Sequence, residues 1–139
     1  MLTQPDVERA RQSIEAYNQG DFETLRHFYA ENVVWHVAGA HRLAGEYQGR
    51  DQLFEYFATV RELTGGTLRL HPQSIVASAD EIAMFTRVTA QRGGKELDIV
   101  LAQTLKVGAD GRWTEYWAMA DDQEAVDDFW SDERGNPDE

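Results

Sequence analysis

The sequence predicts an α+β fold: a cone-shaped, curved antiparallel sheet, an α+β barrel covered by N-terminal helices. Three observations carry this expectation. Helical spacing dominates the first half of the chain and returns only in a short closing segment, and two long extended segments joined by Gly93-Gly94 follow residue 80. One face of that hairpin is apolar and the other charged, so the sheet is wet on one side and needs a cover on the other. With 139 residues, one core is expected, spanning residues 1–130 as a single domain with an acidic, disordered tail over 131–139.

From Asp6 to Gln19, Val7, Ala10, Ile14 and Tyr17 recur at helical spacing, with Pro5 in the first turn and Gly20 at the end. Asp21 then caps a second short helix whose inner side carries Phe22, Leu25, Phe28 and Tyr29. Val33 to Val37 is a β-branched and aromatic run that reads as a short first strand. The glycines at 39, 45 and 49 break periodicity in the loop after it, and Arg50 to Thr64 returns to helical spacing through Leu53, Phe57 and Val60.

Thr67 to Ala77 is extended, and Pro72 assigns it to an edge or a bend because proline cannot donate to a ladder. Glu81–Arg92 and Glu96–Val107 form a hairpin whose two-residue turn sets Arg92 opposite Lys95. Counting back puts Ile82, Met84, Thr86, Val88 and Ala90 on one face with Leu105, Gln103, Leu101, Ile99 and Leu97. The turn Gly108 to Gly111 reads as a type I turn with Gly111 left-handed. On that reading Gln103 faces Trp117, Leu101 faces Met119 and Ile99 faces Asp121, and a change of one residue would reverse every side chain of the last strand. Ala125, Val126, Phe129 and Trp130 make a short closing helix.

The chain has no cysteine, which removes disulfides, thiolate metal sites and cysteine nucleophiles. A net charge of −12 and the lack of a basic stripe argue against nucleic acid. No apolar run is long enough to cross a bilayer and the N-terminus lacks a secretory pattern, so no membrane partner and a cytoplasmic location are expected. No histidine pair with a carboxylate has ligand spacing, and there is no phosphate loop or nucleophile elbow, so no metal or cofactor is expected.

A curled sheet closed by helices leaves a hollow, and polar groups aimed into it are the candidates for chemistry. Gln103 interrupts a row of large aliphatic residues, and its amide needs either a neighbouring side chain, such as Tyr56, or a ligand. Asp121, if it points inward, would be desolvated and suited to proton transfer near neutrality; alternatively it or Asp122 caps the last helix. Glu115 is a rival acid at the rim, and His36 and His41 flank the first strand and its loop. The walls expected to contact substrate are Trp35, Tyr17, Tyr56, Phe57, Met84, Leu101, Trp117 and Met119.

The element order, together with Asn18-Gln19-Gly20-Asp21, Trp35-His36-Val37-Ala38-Gly39, Leu43-Ala44-Gly45-Glu46-Tyr47-Gln48-Gly49 and Tyr116-Trp117-Ala118-Met119-Ala120-Asp121, resembles the SnoaL-like polyketide cyclase and ketosteroid isomerase group of the nuclear-transport-factor-2-like superfamily. The resemblance implies an acid–base aspartate at Asp121, four residues after Trp117. It also implies a homodimer. Where ketosteroid isomerases carry a base, an acid and a first-helix tyrosine, this chain resembles them with Val37, Gln103 and Ser13, so steroid isomerisation by that mechanism is not expected. The expected function is a cofactor-free isomerase, cyclase or hydrolase acting on a small hydrophobic carbonyl or polyketide-like compound, with Asp121 moving a proton and Gln103 holding an oxygen. The alternative is a non-catalytic ligand-binding or dimeric module of the same fold.

Overall fold

A computed structural model describes residues 4–78 and 80–131. Its elements are α1 (Gln4–Gln19), α2 (Phe22–Arg26), β1 (Tyr29–Val37), β2 (Gly45–Gln48), α3 (Arg50–Leu63), β3 (Arg69–Ser78), β4 (Glu81–Arg92), β5 (Lys95–Val107), β6 (Trp113–Ala120) and α4 (Gln123–Trp130). The six strands form one curved, open sheet in the order β2-β1-β6-β5-β4-β3. All pairings are antiparallel except β1 with β6, which is parallel.

The helical stripe of α1 buries Ala10, Ile14 and Ala16 and packs on β3, while α3 buries Leu53, Phe54, Phe57 and Val60 against β1. Asp21 caps α2 by accepting from the Thr24 N–H at 3.2 Å. That helix ends at Arg26, and Tyr29 already belongs to β1, so the expected inner helical pair Phe28 and Tyr29 lies beyond it. The expected loop after β1 also contains a strand: β2 pairs with β1 from Val34↔Gln48 to Val37↔Gly45. Pro72 sits on the edge strand β3, beside a register shift between Pro72 and Ser74, as its missing N–H requires. Asn18 covers part of that edge, since its side chain accepts from the Leu70 N–H at 2.8 Å and donates to the Leu70 carbonyl at 2.9 Å.

The β4–β5 register is the expected one, from Arg92↔Lys95 through Met84↔Gln103 to Ile82↔Leu105. Gly93 and Gly94, at φ 53° and 85°, both take the left-handed conformation a two-residue hairpin of this type demands.

The β5–β6 register differs from expectation by one residue. After the turn, the Gly108 N–H donates to the Arg112 carbonyl and Val107 pairs with Trp113, as expected. The next pair is Lys106↔Glu115, so Thr114 is an extra residue in β6, a β-bulge. A Cβ on Gly108 would lie 2.9 Å from the Thr114 methyl, so the missing side chain there makes room for the bulge. From that point every residue of β6 is reversed: Gln103 faces Ala118, Leu101 faces Ala120, and Tyr116 joins the core. Trp117 and Met119 lie on the outer face instead, 38% and 75% exposed.

Two clusters fill the inner face. One gathers α1, α3, Val33, Trp113 and Tyr116; the other joins Val88, Leu97, Ile99 and Leu43 to Phe129 and Trp130 of α4. The acidic tail expected to be disordered lies, from residue 132 on, outside the described residues.

Candidate functional site

Between the inner face and the helices lies a cavity of about 160 Å³. At its sheet wall, the fully buried Thr86 hydroxyl donates to Gln103 Oε1 at 2.6 Å. Gln103 Nε2 in turn donates to the Tyr116 hydroxyl oxygen at 2.7 Å. The three residues sit on adjacent strands, β4, β5 and β6, and Tyr116 reaches this position only because of the bulge at Thr114. Since the Tyr116 oxygen accepts from Gln103, its own O–H proton is free to be donated toward the cavity.

Aromatic rings hold this arrangement. Trp35 of β1 stacks on Tyr116 with centroids 3.6 Å apart and planes 6° from parallel. Phe57 of α3 meets Trp35 edge-on at 5.3 Å, and Tyr17 of α1 meets Phe57 in the same way at 5.3 Å. The side chains of Tyr17, Tyr29 and Tyr56 line the same cavity. Burial pushes the phenols of Tyr17, Tyr29, Tyr56 and Tyr116 upward, and the proximity of the other phenols adds to it for the first three. At neutral pH these groups are therefore neutral hydrogen-bond donors.

Loop 38–44 and α4 form one end of the cavity, through Ala38, His41, Gln123, Val126 and Trp130. The Leu43 N–H donates to His41 Nδ1 at 3.1 Å, which places the proton of the neutral ring on Nε2, 3.1 Å from the Ala38 carbonyl. Asp127 ties the same loop to α4 by accepting from the Ala40 N–H at 3.1 Å and from Gln123 Nε2 at 3.0 Å. Burial lowers the His41 pKa, against smaller opposing effects of the Ala38 carbonyl and Asp127.

The structure therefore brings together Trp35, Tyr17, Tyr56, Phe57, Met84, Leu101 and Gln103 of the expected site. The partner of Gln103 is Tyr116 rather than Tyr56. Asp121, Trp117 and Met119 are not among the cavity residues, and this corrects the expectation for them. Asp121 is exposed and closes the ladder beyond β6: its N–H donates to the Val100 carbonyl and its carboxylate accepts from the Val100 N–H, both at 3.0 Å. Asp122, not Asp121, caps α4, accepting from the Ala125 N–H at 3.0 Å. Glu115 also lies outward, bonded to His36 Nε2 at 2.8 Å, and the His36 ring stacks on Trp117.

Tyr116 and Tyr29 line the cavity although neither was expected in the site, and His36 and His41, expected only to flank the first strand and its loop, line it as well. A signal for Tyr116 was present, because the expected inner row of the last strand contained Glu115, whereas the opposite row, Tyr116, Ala118 and Ala120, is uncharged. Among the described residues, no group of three His, Asp or Glu side chains could hold a metal ion, and no helix is long and apolar enough to cross a membrane.

The comparisons agree with this architecture. A model of the SnoaL-like domain matches residues 10–116. An uncharacterized protein of Mycobacterium tuberculosis is 28% identical over 132 residues, covering 94% of this chain and all of its own length. The structure of Bal32a, from a soil-derived mobile gene cassette, superposes with a TM-score of 0.87 at 33% identity, over 91% of this chain and 96% of its own. IdmH of Streptomyces antibioticus, a candidate polyketide cyclase, shares the fold at 21% identity with a TM-score of 0.71, over 89% and 96% of the two chains.

Proposed function

The chain belongs to the SnoaL-like domain family, and on that footing we propose that it takes a small apolar compound bearing a carbonyl-type oxygen and transforms it by cofactor-free proton transfer, as an isomerase, cyclase or hydrolase. The observation that carries this reading is the buried relay from Thr86 through Gln103 to Tyr116. A hydrogen-bonded chain of this kind in an otherwise apolar wall holds the Tyr116 hydroxyl in place and directs its proton at a ligand. A donor fixed in a site with little water stabilises negative charge developing on an oxygen more strongly than it would in water. Gln103 acts here as a positioning residue and Tyr116 as the donor. That the candidate polyketide cyclase IdmH shares the fold supports this reading.

Asp121 does not border the cavity, so the role of moving a proton passes in this reading to His41 on the cavity wall. Both of its ring nitrogens are engaged within the loop, so one of those bonds must open for it to accept a proton. One observation favours a second reading, a non-catalytic binding module: no side chain lining the cavity is Asp or Glu. A homodimer belongs to either reading. Val76, Phe85, Trp117 and Met119 on the outer sheet face are the candidate surface, being exposed and large.

Acetophenone in D2O separates the two readings. Its methyl protons exchange through the enol or enolate, so under the enzyme reading the protein accelerates loss of their NMR signal and Tyr116→Phe slows that loss. Under the binding reading acetophenone quenches tryptophan fluorescence without exchange. Neither quenching nor exchange would overturn both.

A further inference from the structure

The size and electrostatics of the cavity go beyond a general small-molecule reading. A cavity of about 150 Å³ lined by apolar side chains holds benzene, whereas pockets for drug-sized ligands run to roughly 300–1,000 Å³. Here the volume is about 160 Å³. The space a larger ligand would need is taken by the ring cluster: Phe57 is packed edge-on against Trp35, and Trp35 lies flat on Tyr116, leaving no gap between those two rings for an intercalated plane.

Charge narrows the class further. None of the side chains lining the cavity is Asp, Glu, Lys or Arg. An ionised carboxylate or phosphate would enter without a counter-ion, at a desolvation cost that apolar contacts do not offset. Two histidines line the cavity: the His41 ring spends its Nε2 on the Ala38 carbonyl and its Nδ1 on the Leu43 N–H, and the His36 ring is held by Glu115 at 2.8 Å and Glu46 at 3.4 Å. What the cavity does offer is phenol hydroxyls. The Tyr116 oxygen accepts from Gln103 and so keeps its own proton to donate, and the side chains of Tyr17, Tyr29 and Tyr56 line the same cavity. A ligand without an acceptor leaves the Tyr116 proton unmatched; one carbonyl oxygen, with two lone pairs, takes it.

Resting on the pocket reading above, we infer that the physiological ligand is an uncharged compound of one ring with a single carbonyl-type acceptor, an aryl or cyclic ketone or aldehyde, and not a polycyclic or carboxylated molecule.

Four probes of wild-type protein test this, each titrated by calorimetry and followed by thermal shift: acetophenone, ethylbenzene, benzoate and anthraquinone. Acetophenone is expected to bind, ethylbenzene at least fivefold more weakly, and the other two not at all. A companion titration with Tyr116→Phe reports the location, and its acetophenone affinity is expected to drop toward that of ethylbenzene. Binding of anthraquinone or benzoate that Tyr116→Phe weakens overturns the inference while the pocket reading stands. Equal binding of acetophenone and ethylbenzene overturns the acceptor requirement. Binding by none of the four overturns the pocket reading, and the inference with it.

Discussion

The Thr86 hydroxyl donates to Gln103 Oε1 across 2.6 Å at a point where Thr86 has no exposure to solvent. Removing the acceptor leaves a buried donor without water to replace it. Gln103→Leu is therefore expected to cost about 1–3 kcal/mol in urea denaturation. Adding Thr86→Val removes the stranded hydroxyl, so the double variant should recover part of that loss, and the cycle should show a coupling between the two sites.

Thr114 is the extra residue of β6. Deleting it removes the bulge but leaves the pairs from Lys106↔Glu115 to Leu101↔Ala120 in place, so Tyr116 stays inward and Trp117 and Met119 outward. The deletion is therefore expected to keep a cooperative unfolding transition by circular dichroism, because Tyr116 remains a core residue; loss of that transition would contradict the assignment of Thr114 as the extra residue. Thr114→Ala keeps the extra residue and should stay within about 0.5 kcal/mol of wild type.

His41 gives the cavity end a pH dependence of definite sign. Its pKa in the fold is depressed below the ordinary 6.5, mainly by burial. Between the depressed value and 6.5 the unfolded chain binds more protons than the fold, so stability is full above 6.5 and falls as the pH drops through that window. Protonation also removes the acceptor for the Leu43 N–H. In thermal melts at successive pH values, His41→Asn should flatten the decline between pH 6.5 and the depressed value relative to wild type.

Phe85 and Met119 are 55% and 75% exposed on the outer face, and Ala102 pairs with both across β4 and β6. If this row is the dimer surface, light scattering gives twice the 15.8 kDa chain mass, and Met119→Glu returns it to one chain. A monomeric wild type removes the homodimer from the account.

Much of the fold was legible because its signals are local. The Gly93-Gly94 turn fixes the hairpin register without reference to any other element, and Pro72 assigns β3 to an edge by its missing N–H alone. The cavity residues on α1, α3, β4 and β5 followed from periodicity. The short strand β2 was hidden because its four residues form a strand only by pairing with β1. The orientation of β6 was hidden by a single extra residue. Turn chemistry at Gly108 to Gly111 was read correctly, but nothing in turn preferences reports a bulge three residues later, and that one residue exchanged Trp117, Met119 and Asp121 for Tyr116.

The carbonyl stretch of bound acetophenone, by isotope-edited infrared difference spectroscopy, probes the Tyr116 proton directly. With wild type the band should lie below its position in an apolar solvent, as for a carbonyl accepting a hydrogen bond. With Tyr116→Phe it should return toward the apolar position while Kd rises about 2- to 12-fold, the worth of one such bond. The same band position in both proteins would contradict the donation of the Tyr116 proton to a ligand, and with it the site described above.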